Sequence, residues 1–274
     1  MKRLVLVGGG NMGEALVAGL VRSGHWKPSQ ITVCDVRHDQ LAQLQLRYKV
    51  RASADNRWAV RDASIILLAV KPQQMRAVAL ALSPHLAASK PLVISVAAGI
   101  PHAALARWFG AQIVVVRTMP NRPALNGFGA TGLYAPATVG APYRELAEDL
   151  LAAVSATVWV PHESQMDTVT ALSGSGPAYF FMFMEALEDA AHERGLPADV
   201  AHRLTLETAF GAAQMARESA DSLAKLREQV TSKGGTTAAA LAVLNAAGLR
   251  AIVAHAVTAA ERRSAELAAE FGVP

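Results

Sequence analysis

The chain has 274 residues, with hydrophobic residues at 52%, charged residues at 18% and aromatic residues at 5%. That is enough apolar chain for one large domain or two, and it argues against general disorder. Lysine plus arginine is 26 against 22 acids, a formal net charge of +4. The basic residues are scattered, so a mildly cationic surface is expected rather than a nucleic-acid track.

In chain order, residues 3–7 read as a buried strand running into glycines, and residues 14–23 as a helix ended by Gly24. A second strand covers 31–35 and a helix 39–47. Residues 64–70 form a strand stopped by Lys71-Pro72, and further strands cover 92–96 and 113–117, each preceded by a helical stretch. Strands alternating with helices predict βαβ units and an α/β fold, with an open, doubly wound parallel sheet. Near residue 160 the pattern changes, and after Ser164 the spacing is helical. Pro177 suits the first turn of a helix ending near Gly195, and Pro197 opens another reaching about Ala220. Helices over 237–247 and 249–270 complete the set. The expected domains are 1–160, dinucleotide-binding, and 161–274, helical. The helical half is apolar enough that packing on a second subunit is expected as readily as a self-contained bundle.

Cys34 is the single cysteine, so neither an internal disulfide nor a cysteine zinc cluster can form within the chain. No His or acidic spacing points to a metal. The apolar run at the N-terminus is too short for a signal peptide, and the long apolar stretches carry Asn245, Arg250 and His255. A soluble cytoplasmic protein is expected, with neither membrane nor nucleic acid as partner.

Gly8-Gly9-Gly10-Asn11-Met12-Gly13 fits G-x-G-x-x-G between a predicted strand and helix. There the first glycine makes the turn, the second admits a pyrophosphate and the third packs helix on strand. The helix start then offers free N–H groups to phosphates. Asp35 ends the second strand, where an acid takes ribose hydroxyls, and Arg37 follows, where a base can hold a 2′-phosphate. The two signals conflict, and both residues also read as surface charges. Lys71 can meet a phosphate or ribose, or Lys71-Pro72 can merely stop the strand. The small residues of Ser95-Val96-Ala97-Ala98-Gly99 leave room for a flat ring, or pack tightly. Asn121 can bond a carboxamide or substrate, or serve a turn. Ser232-Lys233-Gly234-Gly235-Thr236-Thr237 opens a helix and makes either a carboxylate receptacle or a plain capped turn. With no triad or metal set in view, the chemistry should belong to a cofactor.

Six segments together resemble the pyrroline-5-carboxylate reductase family over nearly the full length. They are GGGNMG at 8–13, AVKP at 69–72, SVAAG at 95–99, MPNRPA at 119–124, LSGSGPAY at 172–179 and VTSKGGTT at 230–237. The last two are the specific ones. Lys233 stands where proline is usual in the family and Thr236 where alanine is common. The resemblance implies a Rossmann domain, a helical domain that interlocks with a dimer mate, and reduction of L-1-pyrroline-5-carboxylate to L-proline. NADPH is the expected cofactor, with NADH also usable. A homodimer is implied, with a ring of dimers as the larger form. The cofactor would meet Val7, Gly8, Gly9, Gly10, Asn11, Met12, Gly13, Asp35, Arg37, Asn56, Ala69, Val70, Lys71, Pro72, Ala97 and Ala98. The substrate would meet Glu163, Gly234, Gly235, Thr236 and Thr237, with Thr237 as the catalytic candidate. A 3-hydroxyacid dehydrogenase and a non-catalytic nucleotide sensor are the competing readings.

Overall fold

A computed structural model describes residues 2–272. The strands are β1 (Leu4–Val7), β2 (Ile31–Cys34), β3 (Arg51–Ser53), β4 (Ile65–Leu68), β5 (Leu92–Ser95), β6 (Val115–Met119), β7 (Gly129–Tyr134) and β8 (Ser155–Trp159). The helices among them are α1 (Asn11–Arg22), α2 (His38–Tyr48), α3 (Asn56–Ala59), α4 (Pro72–Leu82), α5 (His102–Phe109) and α6 (Ala141–Ala152). The remainder is helical: α7 (Gln165–Val169), a π-helical turn (Thr170–Gly174), α8 (Gly176–His192), α9 (Ala198–Glu218), α10 (Leu223–Gln229), α11 (Thr236–Ala246) and α12 (Leu249–Phe271).

All eight strands join one sheet in the order β3-β2-β1-β4-β5-β6-β7-β8. The chain lays β1 to β3 outward on one side, then returns beside β1 with β4 and continues on the other. That reversal between β1 and β4 is the switch point of a Rossmann sheet, where ligands bind at the carboxyl ends of the strands. β1 and β4 are buried at every position, as continuous apolar runs in the middle of a parallel sheet must be. Their side chains alternate between two cores. Leu4 and Leu6 join Ile31, Val33, Ile65, Leu67 and α1 on one face. Val5 and Val7 join Ile66, Leu68, Met75 and Trp108 on the other.

The sheet differs from the expected one in three strands. β3 is a three-residue edge strand with an exposed arginine, too short for a hydrophobic pattern to mark it. β7 was obscured by its two glycines and runs antiparallel to β6. Only a 3-10 turn, Arg122–Asn126, joins those two, and so short a link cannot carry a parallel crossover. β8 then pairs parallel with β7 after α6. The sheet is therefore mostly parallel, not wholly so.

Contacts divide the chain into two compact units. The first runs to Pro177 and takes the chain back from Ala259; the second is Ala178–Thr258. The first thus holds α7, because Val169 lies where a side chain on Gly132 of β7 would have to go. It also holds the end of α12, whose Leu267 abuts Gly99. The second unit is helical throughout, and its apolar side chains lie largely open: Phe180 is 70% exposed, Met182 74% and Phe210 62%. Among the described residues no single helix is long and apolar enough to cross a membrane; α11 and α12 together reach that length, but bend by 53° at the break between them.

Candidate active site

The glycine turn after β1 is built as its spacing predicts. The Gly8 N–H donates to the Cys34 carbonyl at 2.7 Å, tying the ends of β1 and β2. Gly8 has φ +105°, and a Cβ there would stand 2.5 Å from the Ala69 carbonyl oxygen, so the turn and the loop after β4 lie backbone against backbone. A Cβ on Gly13 would meet the Gly8 carbonyl oxygen at 2.0 Å, which fixes the close seating of α1. Gly10 is different, because a Cβ there would meet nothing within 4 Å. It is the N-cap of α1 and has no side chain to cap it. The N–H groups of Asn11, Met12 and Gly13 have no hydrogen-bond partner among the described residues, and Asn11 is exposed. A helix start of this kind, with the positive end of a 12-residue helix behind it, has the donors that a pyrophosphate needs.

Asp35 and Arg37, which conflict as sequence signals, are partners in the fold. Asp35 Oδ2 accepts from the Gly9 N–H at 2.8 Å, and both carboxylate oxygens accept from the Arg37 guanidinium at 3.1 and 3.2 Å. Burial alone would push the Asp35 carboxyl up, but Arg37 and the Gly9 N–H outweigh it and hold it below the usual carboxylate range. The carboxylate thus braces the glycine turn, while the Arg37 side chain remains half exposed.

The loops after the neighbouring strands complete the crevice. Ala69 donates its N–H to Val7 at 2.8 Å, and Lys71-Pro72 caps and starts α4 with the lysine exposed. Ala97 is buried and Ala98 half-buried at the end of β5, so no large side chain fills that side. Asn56 opens α3, and its carboxamide oxygen is buried without a hydrogen-bond partner among the described residues. A buried acceptor left open asks for a donor such as a ribose hydroxyl. These features fit a dinucleotide. Cys34 offers no thiolate, since burial, with the Asp55 charge adding to it, pushes its thiol up to about 12.

Around Glu163, which the resemblance assigns to the substrate, the fold builds a polar cluster whose other members sequence reasoning missed. Arg117 on β6 is only 4% exposed. Its guanidinium donates to Glu163 Oε1 at 2.9 Å and stands 3.9 Å from Asp167. The same Glu163 oxygen accepts from the backbone N–H of His102, the first residue of α5, at 2.5 Å. Asp167 accepts from Ser264 of α12 at 2.7 Å. Burial pushes the His102 imidazole below its ordinary range, and Nε2 meets the Val115 carbonyl at 3.1 Å. The available signal was an arginine inside the apolar run Val114-Val115-Val116-Arg117, which a buried strand tolerates only if the charge is paired. Asn121 caps nothing in its own turn and acts instead as a crosslink: its amide nitrogen donates to the Ser173 carbonyl of the π-helical turn and its oxygen accepts from the Ala130 N–H of β7, each at 2.9 Å.

In the helical unit, Gly234 has φ +72° and Gly235 is the N-cap of α11. No side chain caps that helix. The N–H groups of Thr236, Thr237 and Ala238, and the half-buried Thr237 hydroxyl, have no hydrogen-bond partner among the described residues. Thr170, Thr231 and Thr258 instead donate to the carbonyl four residues back. Among the described residues no group of His, Cys, Asp and Glu could hold a metal ion.

Two family models match: one described as NADP oxidoreductase coenzyme F420-dependent, over residues 3–99, and one described as pyrroline-5-carboxylate reductase dimerisation, over residues 163–267. A pyrroline-5-carboxylate reductase of Pseudomonas aeruginosa is 47% identical, with 98% of each chain covered. The solved pyrroline-5-carboxylate reductase of Coxiella burnetii is 41% identical, with a TM-score of 0.91 over 97% of this chain and 98% of that one. The pyrroline carboxylate reductase of Plasmodium falciparum, solved with NADP bound, is 28% identical, with a TM-score of 0.88 over 97% of this chain and 98% of that one. With relatives this similar over nearly the whole chain, the protein belongs to the pyrroline-5-carboxylate reductase family of oxidoreductases.

Proposed function

We propose that this protein reduces L-1-pyrroline-5-carboxylate to L-proline, the last step of proline biosynthesis, with NADPH as preferred cofactor and NADH also accepted. Kinship with proteins named for that reaction extends over 98% of the chain. The observation that carries the reading is that the donors at the starts of α1 and α11 have no partner among the described residues. The first set suits a pyrophosphate and the second a small carboxylate.

Val7, Gly8 to Gly13, Asp35, Arg37, Asn56, Ala69 to Pro72, Ala97 and Ala98 are the residues to hold the cofactor. Reduced nicotinamide, when bound, supplies the hydride. Asp35 would repel a 2′-phosphate, but Arg37 already covers its charge and has solvent-facing surface to offer the phosphate. With NADH, the same carboxylate is there to take ribose hydroxyls. At the substrate, Gly234 and Gly235 bring the N–H groups of Thr236 and Thr237 to the carboxylate, and Glu163 contributes an acceptor. The Thr237 hydroxyl orients the ring nitrogen. A protonated imine is already electrophilic, so the residues mainly position it and exclude water, which is worth roughly 7–11 kcal/mol.

The exposed Phe180, Phe181, Met182 and Phe210 are too apolar to remain in water. A second copy covers them in a homodimer, and dimers assemble into a larger ring. The cytoplasm, which supplies reduced nicotinamide, is the place of action. The test is oxidation of NADPH by the purified chain with pyrroline-5-carboxylate. Turnover is expected; its absence, with a 3-hydroxyacid turned over instead, overturns the reading.

A further inference from the structure

Burying a guanidinium is costly unless it is paired, and Arg117 is buried beside two carboxylates, Glu163 just before α7 and Asp167 within it. The pairing is uneven. Arg117 Nη1 and the His102 N–H both converge on one oxygen of Glu163, Oε1. The other oxygen, Oε2, has no hydrogen bond among the described residues, and the side chain is 28% exposed. The His102 N–H is the first donor of α5, whose N-cap, Pro101, has no side-chain acceptor to offer. α5 follows directly on the Ala97-Ala98-Gly99 turn at the end of β5. One carboxylate oxygen is therefore held by β6 and α5, and the second is left without a partner among the described residues, in a side chain partly open to solvent. Two carboxylates facing one guanidinium leave surplus negative charge, and the unpaired oxygen is free to offer it to a cation.

We infer that Arg117 is a positioning residue: it fixes Glu163 through Oε1 so that Oε2 is presented to the positive charge of the protonated imine. This rests on the proposed function, in which Glu163 meets the substrate. Arg117 itself touches neither substrate nor cofactor. A lysine keeps the charge but loses the planar fork, so it leaves the net charge of the cluster unchanged without holding Glu163 at that angle.

The experiment is steady-state kinetics, NADPH titration and thermal melting on Arg117→Lys, Glu163→Gln and the double variant. Arg117→Lys should raise KM for pyrroline-5-carboxylate about tenfold, the size of one charged hydrogen bond lost. It should leave NADPH affinity unchanged and kcat within about threefold. In the Glu163→Gln background the same change should add little, because both substitutions remove one interaction. An unchanged KM in Arg117→Lys, with Glu163→Gln impaired, overturns the inference alone. So does a full, additive effect in the double variant, or a joint fall of kcat, NADPH affinity and melting temperature, which marks a purely structural arginine. A normal KM in Glu163→Gln overturns this inference and the substrate role of Glu163 together. No turnover by the unmodified protein overturns the reaction itself.

Discussion

Gly10→Ala should separate cofactor binding from folding. A Cβ at Gly10 meets nothing within 4 Å, and the residue has φ −70° and ψ −170°, which an alanine adopts freely. Losing glycine at an N-cap costs up to about 1 kcal/mol, and the reduced freedom of the unfolded chain returns about 0.4–1 kcal/mol. The melting temperature should therefore hardly move. The open space above Gly10 is, however, where a pyrophosphate must come to reach the N–H groups of Asn11 and Met12. A methyl there keeps the phosphate from at least one charged hydrogen bond, worth about 1.5–3 kcal/mol, or roughly 10- to 150-fold in affinity. Gly13→Ala is the contrast, since its Cβ would stand 2.0 Å from the Gly8 carbonyl oxygen. That overlap should cost about 3 kcal/mol or more and lower the melting temperature by roughly 6 °C or more. Fluorescence titration with NADPH, alongside thermal melting, reads both effects. If Gly10→Ala binds NADPH as the unmodified chain does, the cradle is misassigned.

Other variants probe the remaining parts. Thr237→Ala should lower kcat/KM about tenfold, from the loss of a hydrogen bond worth ~1.5 kcal/mol, with NADPH affinity and melting unaffected; normal turnover with reduced stability would make Thr237 a cap. Arg37→Ala should weaken NADPH more than NADH, and equal losses would exclude it as the phosphate clamp. The same variant should be destabilised at neutral pH, because the Asp35 carboxyl lies below its ordinary range in the folded state. That stabilisation is present above about pH 3.9 and is lost as pH falls through the lowered folded value, so melting of variant and parent should converge in acid. Phe181 is 65% exposed, and Phe181→Asp should yield monomer in sedimentation; an unchanged dimer would place the interface elsewhere.

The features legible in the sequence were those with local causes. The glycine turn, β1, β2 and β4, and the long helices of the second unit follow from spacing and from neighbours a few residues away. The Asp35–Arg37 pair was visible as two competing signals, and only the fold shows that one neutralises the other. What stayed hidden depends on distant partners or weak patterns. β7 reads Gly-Ala-Thr-Gly-Leu-Tyr and is held as a strand by β6 and β8 rather than by its own propensity. α10 spans only seven residues, with charges throughout. Arg117 meets carboxylates brought by a segment that follows two further strands of the sheet, and no local spacing announces that meeting.

The most direct test is transfer of deuterium from NADPH carrying deuterium at both hydrogens of nicotinamide C4. Incubation with pyrroline-5-carboxylate, followed by mass spectrometry, should give L-proline with one deuterium on the ring carbon that carried the imine. Proline without label, or no proline while another carbonyl compound takes the label, would contradict the assigned reaction.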